Sequence, residues 1–300
     1  MSLKTTIQPR VDDIEKAIRS AVESARIVHH KRSRDEEQWR WDSCFAGVKS
    51  ALRVFNTTSL LDYSKMLEKN WNTNLINPFD LEDMELGSKK TLEEDRACSP
   101  WVSSDKSSLL LVTGMNHPNS GNFQESVWLS SAVVDFADDA RVQGHKIVFY
   151  GVQSGDTASQ ILSNIIVGIL DWDKEYFFKS QYSNLQERIE QNRESSTDLA
   201  WKLDLLETLL KEWTQSAIVY IIIDRIDKCL LPRNSQEQRS EELKSMTKGI
   251  LKGLGRTRQT CKVLLHSRAN YWPRCDLGMW ADPYKRFYHH LNWQQGNKRL

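Results

Sequence analysis

The chain has 300 residues, which is enough for about two domains and a sizeable hydrophobic core. Its 41 basic and 40 acidic side chains leave a net charge of +1, so bulk charge indicates no polyanionic partner. The longest apolar run, residues 217–223, is far shorter than the roughly 20 residues that a membrane-spanning helix needs. Composition therefore excludes a membrane-spanning protein and a strongly basic nucleic-acid binder.

The cysteines and the first residues indicate the compartment. The five cysteines are widely spaced and odd in number, and they form no CxxC pair, so they predict neither a disulfide framework nor a zinc site. Residues 1–30 lack the apolar core of a signal peptide, since the segment VDDIEKAIRSAVESARIV is charged throughout. We expect a soluble, cytoplasmic protein without membrane contact.

The N-terminal region has a helical pattern. Val11, Ile14, Ile18, Val22 and Ala25 recur at helical spacing and predict a helix over 11–28. The basic run that follows is cancelled at once by an acidic one, so we predict a solvated turn at 29–37. One or two further helices are predicted over 43–70, before a charged segment rich in turn formers. We therefore divide this part into a helical N-terminal region (1–71) and a linker (72–100).

Residues 101–270 show strand–helix alternation, which is typical of an α/β protein with a parallel sheet and helices on both faces. Strands are predicted over 108–113, 145–152, 217–224 and 261–268, and helices over 124–142, 156–171, 197–213 and 235–254. Residues 271–300 form a C-terminal tail, and we predict no fifth strand in YWPRCDLGMWADPYKRF (271–287).

A phosphate-binding loop is expected directly after the first strand, in LVTGMNHPNSGNFQ (111–124). Such loops read G-x-x-x-x-G-K-[ST]: backbone N–H groups wrap the phosphates, the lysine neutralises them and the hydroxyl holds Mg²⁺. Here Asn122 stands in the lysine position and Phe123 in the hydroxyl position. The strict motif is absent, although the helix that begins near residue 124 still offers a positive dipole end.

Two later strands end in residues that nucleotide hydrolases use. The strand in YIIIDRID ends at Asp224, which would steady Mg²⁺, and Asp227 would orient or deprotonate the attacking water. An equally good interpretation is that Asp224 and Asp227 are surface acids at a strand end that form salt bridges with Arg225 or Lys228. The strand in VLLHSR ends at Arg268, which could contact a γ-phosphate or form an ordinary salt bridge.

In this order, the three segments resemble the NACHT-type, signal-transducing P-loop NTPases of the STAND class, particularly those of filamentous fungi. The resemblance rests on LLLVTGMNHPNSGNFQ (109–124), IIDRIDKC (222–229) and LHSRAN (265–270), and covers about residues 99–270. It implies a P-loop NTPase-like fold, ATP and Mg²⁺ as cofactors, and protein partners in signalling. It also makes Asp224 the Mg²⁺-site acid and Asp227 the catalytic acid. The nucleotide-binding positions that it implies are Gly114, Pro118, Ser120, Gly121, Asn122, Phe123 and Arg268.

The departures from the family pattern all affect the groups of the loop that would contact the phosphates and Mg²⁺. Losing the lysine removes a charge-assisted contact worth about 1.5–3 kcal/mol, or roughly 10- to 100-fold in affinity. Phe123 cannot ligate Mg²⁺, which takes oxygen donors, and residues 115–117 lengthen the loop by two positions. We therefore expect weak or absent ATP binding, and we expect Asp227 to be vestigial.

The leading hypothesis is thus a degenerate STAND/NACHT-like pseudoenzyme that acts as a regulatory or interaction module. One alternative is an active ATP-binding signalling NTPase in which Lys146 or Lys228 replaces the lysine. The other is a nucleic-acid-binding module that uses residues 26–34 and YKRFYHH (284–290), which the near-zero net charge disfavours. Family members continue into helical lid domains, so we expect a truncated copy or a role reduced to binding. The partner, the upstream signal, the oligomeric state and the role of residues 1–98 stay open.

Overall fold

A computed structural model describes residues 4–54, 59–73, 98–114, 129–172, 177, 185–195, 198–212, 218–230, 236–254, 256, 260–268 and 288–293. The helices are α1 (Lys4–Ala51), α2 (Leu60–Thr73), α3 (Cys98–Ser103), α4 (Leu129–Val142), α5 (Ala158–Asp171), α6 (Leu185–Ser195), α7 (Asp198–Glu212) and α8 (Gln236–Leu254). The strands are β1 (Ser108–Gly114), β2 (Lys146–Gly151), β3 (Val219–Asp224), β4 (Cys261–Arg268) and β5 (Tyr288–Trp293). A short 3₁₀ helix, Ile226–Leu230, follows β3.

The five strands form one sheet in the order β2-β3-β4-β1-β5, and every neighbouring pair is parallel. All six residues of β3 are buried, as the continuous apolar run of an inner parallel strand predicts. Because the strands run the same way, their last residues share one side of the sheet, which we call the carboxyl edge. It is formed by Gly114, Gly151, Asp224, Arg268 and Trp293.

Alternate strand residues point into two different cores. The larger core packs α5, α7 and α8 against one face of the sheet, through strand residues such as Leu111, Ile221 and Leu265. The smaller core packs α3 and α4 against the opposite face, on neighbours such as Leu110 and Ile222. The predicted fold class is confirmed: the protein has a P-loop NTPase-like α/β fold with helices on both faces of a parallel sheet, preceded by a helical N-terminal region.

Local sequence signals explain where two of the flanking helices begin and end. The backbone N–H of Gln160 bonds the Thr157 hydroxyl at 3.2 Å and the Gln160 side chain bonds the Thr157 N–H at 2.8 Å, which is a capping box for α5. After α4, Gly144 takes a φ of 84°, the left-handed conformation that glycine adopts without a steric penalty. Residue types that favour a helix start and a helix end therefore stand where these helices start and end.

The turn predicted at 29–37 is wrong, because α1 runs through it without a break. Arg32 and Glu36 lie one helical turn apart and form a salt bridge of 3.3 Å along the helix. The opposed charges therefore support the helix instead of ending it. Side chains 18–40 of α1 are exposed. Within the described ranges, neither α1 nor any other helix is long and apolar enough to cross a membrane.

The segment in which we predict no fifth strand, 271–287, lies outside the described residues, but a fifth strand follows it. Residues Tyr288–Trp293 form β5, which pairs with β1 from Leu109 to Gly114. Its sequence, YHHLNW, is largely polar, so a search for apolar runs misses it. Among the described strands β5 lies at the end of the order, and an end strand does not need the continuous apolar sequence of an inner one.

Candidate functional site at the carboxyl edge

The structure brings three of the predicted site positions to the same edge of the sheet. Gly114 and Arg268 are register partners at the ends of β1 and β4. Asp224 ends β3, two strands away from β1, so it lies about 10 Å across the sheet from β1. The other predicted loop positions lie outside the described residues; they are Pro118, Ser120, Gly121, Asn122 and Phe123. The nucleotide-binding roles of all these residues stay predictions.

Asp224 is completely buried, and both of its carboxylate oxygens are hydrogen-bonded. The Tyr63 hydroxyl donates to Oδ2 at 2.6 Å, a distance typical of a charge-assisted O–H···O⁻ bond. The Nδ1 of His266 contacts Oδ1. Because an ionised carboxylate can only accept, we place a proton on the His266 Nδ1. The three side chains form a buried polar group, which we call the Tyr–Asp–His cluster.

His266 enters this cluster from the middle of the sheet. It lies on β4, level with Val112 of β1, and it has no exposed surface. Its second ring nitrogen, Nε2, is buried and has no hydrogen-bond partner among the described residues. Buried polar atoms are nearly always paired, so this ring nitrogen is an exception among the buried polar atoms of the described residues.

Tyr63 enters the cluster from outside the sheet, on α2. Its ring packs against Phe149 with a centroid distance of 5.1 Å. It also lies over Gly151, the register partner of Asp224, so closely that a Cβ there would be 2.2 Å from the Tyr63 Cε2. Glycine at the end of β2 therefore makes room for the tyrosine ring.

Asp227, the predicted catalytic acid, is paired with Arg225. The guanidinium bonds the carboxylate through Nε at 3.1 Å and through Nη2 at 3.0 Å. Burial alone would lower the pKa of Arg225, but the carboxylates of Asp227 and Asp224 outweigh that effect and raise it. Arg225 thus stays charged. Its φ of 60° is uncommon for a residue other than glycine, and it lies directly after β3, between the two acids.

The described residues do not fit Mg²⁺ in this arrangement. Mg²⁺ takes oxygen ligands, but both carboxylate oxygens of Asp224 already hold hydrogen bonds within the chain. No group of three or more His, Cys, Asp or Glu side chains within the described ranges could hold a metal ion. Binding Mg²⁺ at Asp224 would require at least one of its two partners to leave.

Of the two lysines proposed to replace the loop lysine, Lys146 lies too far from the carboxyl edge. It is the first residue of β2, at the opposite end of the strand from Gly151, and five residues of strand span about 16 Å. Lys228 lies in the 3₁₀ helix, next to Asp227. Arg225, which the sequence suggests only as a salt-bridge partner, contacts the predicted acid Asp227 at 3.0 Å.

Sequence reasoning missed Tyr63, His266 and Gly151. A weak signal existed for His266, because it directly follows the apolar run 263–265 of β4. Tyr63 had none: 161 residues separate it from Asp224, and it lies in a helix with no recognised motif. Gly151 had the weak signal of a glycine that ends a strand.

Comparison with known proteins gives a clear family match and only weak matches to solved structures. A family model described as "Nephrocystin 3, N-terminal" matches residues 87–268. No curated protein matches the chain.

Three solved structures share part of its fold at low similarity. Aeropyrum pernix ORC1 in complex with DNA is 10% identical, over 70% of this chain and 44% of that one, with a TM-score of 0.36. Aeropyrum pernix ORC2, in ADPNP–ADP complexes, is 13% identical over 68% and 46%, with a TM-score of 0.36. Drosophila ORC bound to DNA is 12% identical over 81% and 35%, with a TM-score of 0.35. The chain thus spans less than half the length of each of these proteins, and their ligands are not transferred to it. Because the family model covers more than half of its residues, the chain belongs to the Nephrocystin 3, N-terminal family.

Proposed function

We propose that this protein is a regulatory or interaction module on a P-loop NTPase-like scaffold, with weak or absent binding and hydrolysis of ATP. The observation that carries the proposal is the state of Asp224. The acid that would hold Mg²⁺ lies at the carboxyl edge of the sheet, but it is fully buried and hydrogen-bonded through both carboxylate oxygens. NACHT- or STAND-type signalling, with protein partners, is the specific form of this role that the motif resemblance favours.

The loop sequence supports the same proposal independently. Asn122 and Phe123 stand where a working loop has its lysine and its hydroxyl. The missing positive charge and the missing metal ligand act on the same phosphates, so their costs combine. Asn122 can still donate one hydrogen bond to a phosphate, and this leaves room for weak binding.

The state of Asp227 argues against efficient hydrolysis. A general base must reach the proton that it removes. Both carboxylate oxygens of Asp227 accept hydrogen bonds from Arg225, so neither is directed at a substrate in this arrangement. The guanidinium of Arg225 is paired with Asp227. It is therefore a poor replacement for the loop lysine in the alternative of an active NTPase.

The test is calorimetry of ATP with Mg²⁺ on the whole chain, together with a phosphate-release assay. Asp224→Ala is the matched control, because it removes the only predicted metal acid. We expect dissociation constants roughly in the high micromolar range or weaker, and no turnover that depends on Asp224. Rapid turnover that disappears in Asp224→Ala would establish the active NTPase instead.

A further inference from the structure

A groove lies between α6 and α7, and the same residue pattern forms both of its walls. Each helix contributes residues at positions i, i+3 and i+4, which lie on one face of a helix. In both helices the first and the third of these are buried and apolar, and the second is charged. They are Leu185, Arg188 and Ile189 on α6, and Trp201, Asp204 and Leu205 on α7. The groove therefore has an apolar floor and one charge of each sign, on opposite walls.

The groove has room for one ring. Its volume is about 160 Å³, close to the roughly 150 Å³ of an engineered protein cavity that holds benzene. The four apolar residues of the floor belong to the main core, so the floor is fixed by the packing of the whole domain. The indole of Trp201 adds an aromatic surface, on which another ring packs favourably. The shape and the lining of the groove thus suit a single aromatic group.

The two charged residues of the groove are unpaired. Arg188 and Asp204 are both exposed, and neither side chain forms an ion pair or a hydrogen bond among the described residues. They line the same groove from different helices, yet they do not contact each other. A ligand that carries a charge of each sign would fill the gap between them.

From this arrangement we propose that the groove between α6 and α7 binds a small aromatic zwitterion, of the class of the aromatic α-amino acids. The ring lies on the apolar floor, the ligand carboxylate accepts from the guanidinium of Arg188, and the ligand ammonium donates to the carboxylate of Asp204. One carbon separates the two charged groups of an α-amino acid, so with a hydrogen bond of about 2.8 Å on each side they bridge about 8 Å. Packed helices have axes roughly 8–10 Å apart, so a span of this order fits between two of them.

This site goes beyond the proposed function, because none of its residues belongs to the carboxyl edge. A ligand that joins α6 to α7 binds the folded chain and not the unfolded one, so it stabilises the core to which both helices contribute. The groove thus gives the module a response to a small molecule that needs no nucleotide.

The test is an NMR titration of the full chain with L-phenylalanine and with two analogues that each lack one charge. 3-Phenylpropionate has no ammonium, and phenethylamine has no carboxylate. L-Phenylalanine should bind with a dissociation constant roughly in the millimolar range, as expected for a ligand of about a dozen non-hydrogen atoms. Each analogue should bind about three- to tenfold more weakly, because it loses one charge-assisted contact with an exposed residue.

Two neutral variants assign each contact to its charge. Arg188→Gln should weaken L-phenylalanine about three- to tenfold but should not weaken phenethylamine, which has no carboxylate to lose. Asp204→Asn should weaken L-phenylalanine by a similar factor but should not weaken 3-phenylpropionate, which has no ammonium. The matched control is Lys211→Gln, an exposed position in the last turn of α7 outside the groove, which should bind all three ligands like the wild type.

Two outcomes overturn the proposal. One is the absence of L-phenylalanine binding to the wild type at up to about 20 mM. The other is binding without charge selectivity, in which the wild type binds the three ligands with equal affinity, or each folded variant weakens all three alike. The ligand comparison on the wild type needs no variant, so it decides the question even when a variant does not fold. Neither outcome involves ATP or Asp224, so the proposed function is tested separately.

Discussion

The two ends of β4 carry buried polar groups with different kinds of partners. Lys262 and His266 both lie on the face covered by α3 and α4, four residues apart, and neither has exposed surface. The Lys262 ammonium donates to the main-chain carbonyls of Trp101 at 2.7 Å and Lys106 at 2.9 Å. His266 instead contacts Asp224, whose other oxygen accepts from a helix remote in sequence.

The difference lies in how far in sequence each buried group is from its partners. The partners of Lys262 belong to α3 and to the connection into β1, so they stay in place whenever the sheet is formed. The cluster of Asp224 instead joins β3 and β4 to α2, which is remote in sequence. Burying a charge is costly unless its partners are present, so the first site depends on the sheet alone, whereas the second also depends on how the N-terminal region packs on the sheet.

The largest effect is expected from Lys262→Met. This change leaves the carbonyls of Trp101 and Lys106 buried without their donor, at a cost of about 3–5 kcal/mol of unfolding free energy. Urea denaturation measures it. Lys252→Met, on an exposed position of α8, is the control and should change stability by less than about 0.5 kcal/mol. Equal losses in the two variants would refute the structural role of Lys262.

At the other end of β4, Asp224→Ala should cost about 2–4 kcal/mol, because the Tyr63 hydroxyl and the His266 Nδ1 lose their shared acceptor in a dry interior. Tyr63→Phe should destabilise the wild type by about 1–2 kcal/mol but the Asp224→Ala variant by much less. A double-mutant cycle by urea denaturation gives the coupling, expected at about 1 kcal/mol or more. Strictly additive losses would mean that the contact contributes nothing.

A smaller, pH-dependent effect should come from Lys262. Burial lowers the pKa of its ammonium from 10.5 to about 8. Between about pH 8 and 10.5 the unfolded chain therefore binds more protons than the folded one, and stability should rise with pH, by at most about 1.4 kcal/mol per unit. Below about pH 8 both states are protonated, so the slope vanishes. Urea midpoints measured from about pH 7.5 to 10 should show a slope that Lys262→Met removes.

The same contrast explains which parts of the molecule the sequence can predict. The strands β1, β3 and β4 are inner strands, and burial on both faces gives them continuous apolar runs, at 109–112, 219–223 and 263–265, that lie one to three residues before the carboxyl edge. The sequence alone therefore places Asp224 and Arg268 at that edge. β5 has a polar sequence and one described neighbour, so it lacks the same signal.

The missed residues share a physical reason. Tyr63 acts through a contact across 161 residues, and no local pattern fixes which helix covers the end of a sheet. Arg225 pairs with Asp227 from a backbone conformation of positive φ, which a sequence predicts for glycine and not for arginine. Motifs thus locate the edge, whereas the state of its acids depends on tertiary packing.

The smallest effect is expected on α1, where the charges lie in water. Arg32 and Glu36 are 82% and 71% exposed, so their salt bridge is screened and should contribute no more than about 0.5 kcal/mol. Arg32→Ala should therefore leave the urea midpoint nearly unchanged, and the far-ultraviolet circular dichroism should keep its helical signal. A loss above about 1 kcal/mol would show that this segment of α1 is buried against something in solution. The contrast between this pair and the Tyr–Asp–His cluster would then no longer be one of exposed against buried charge.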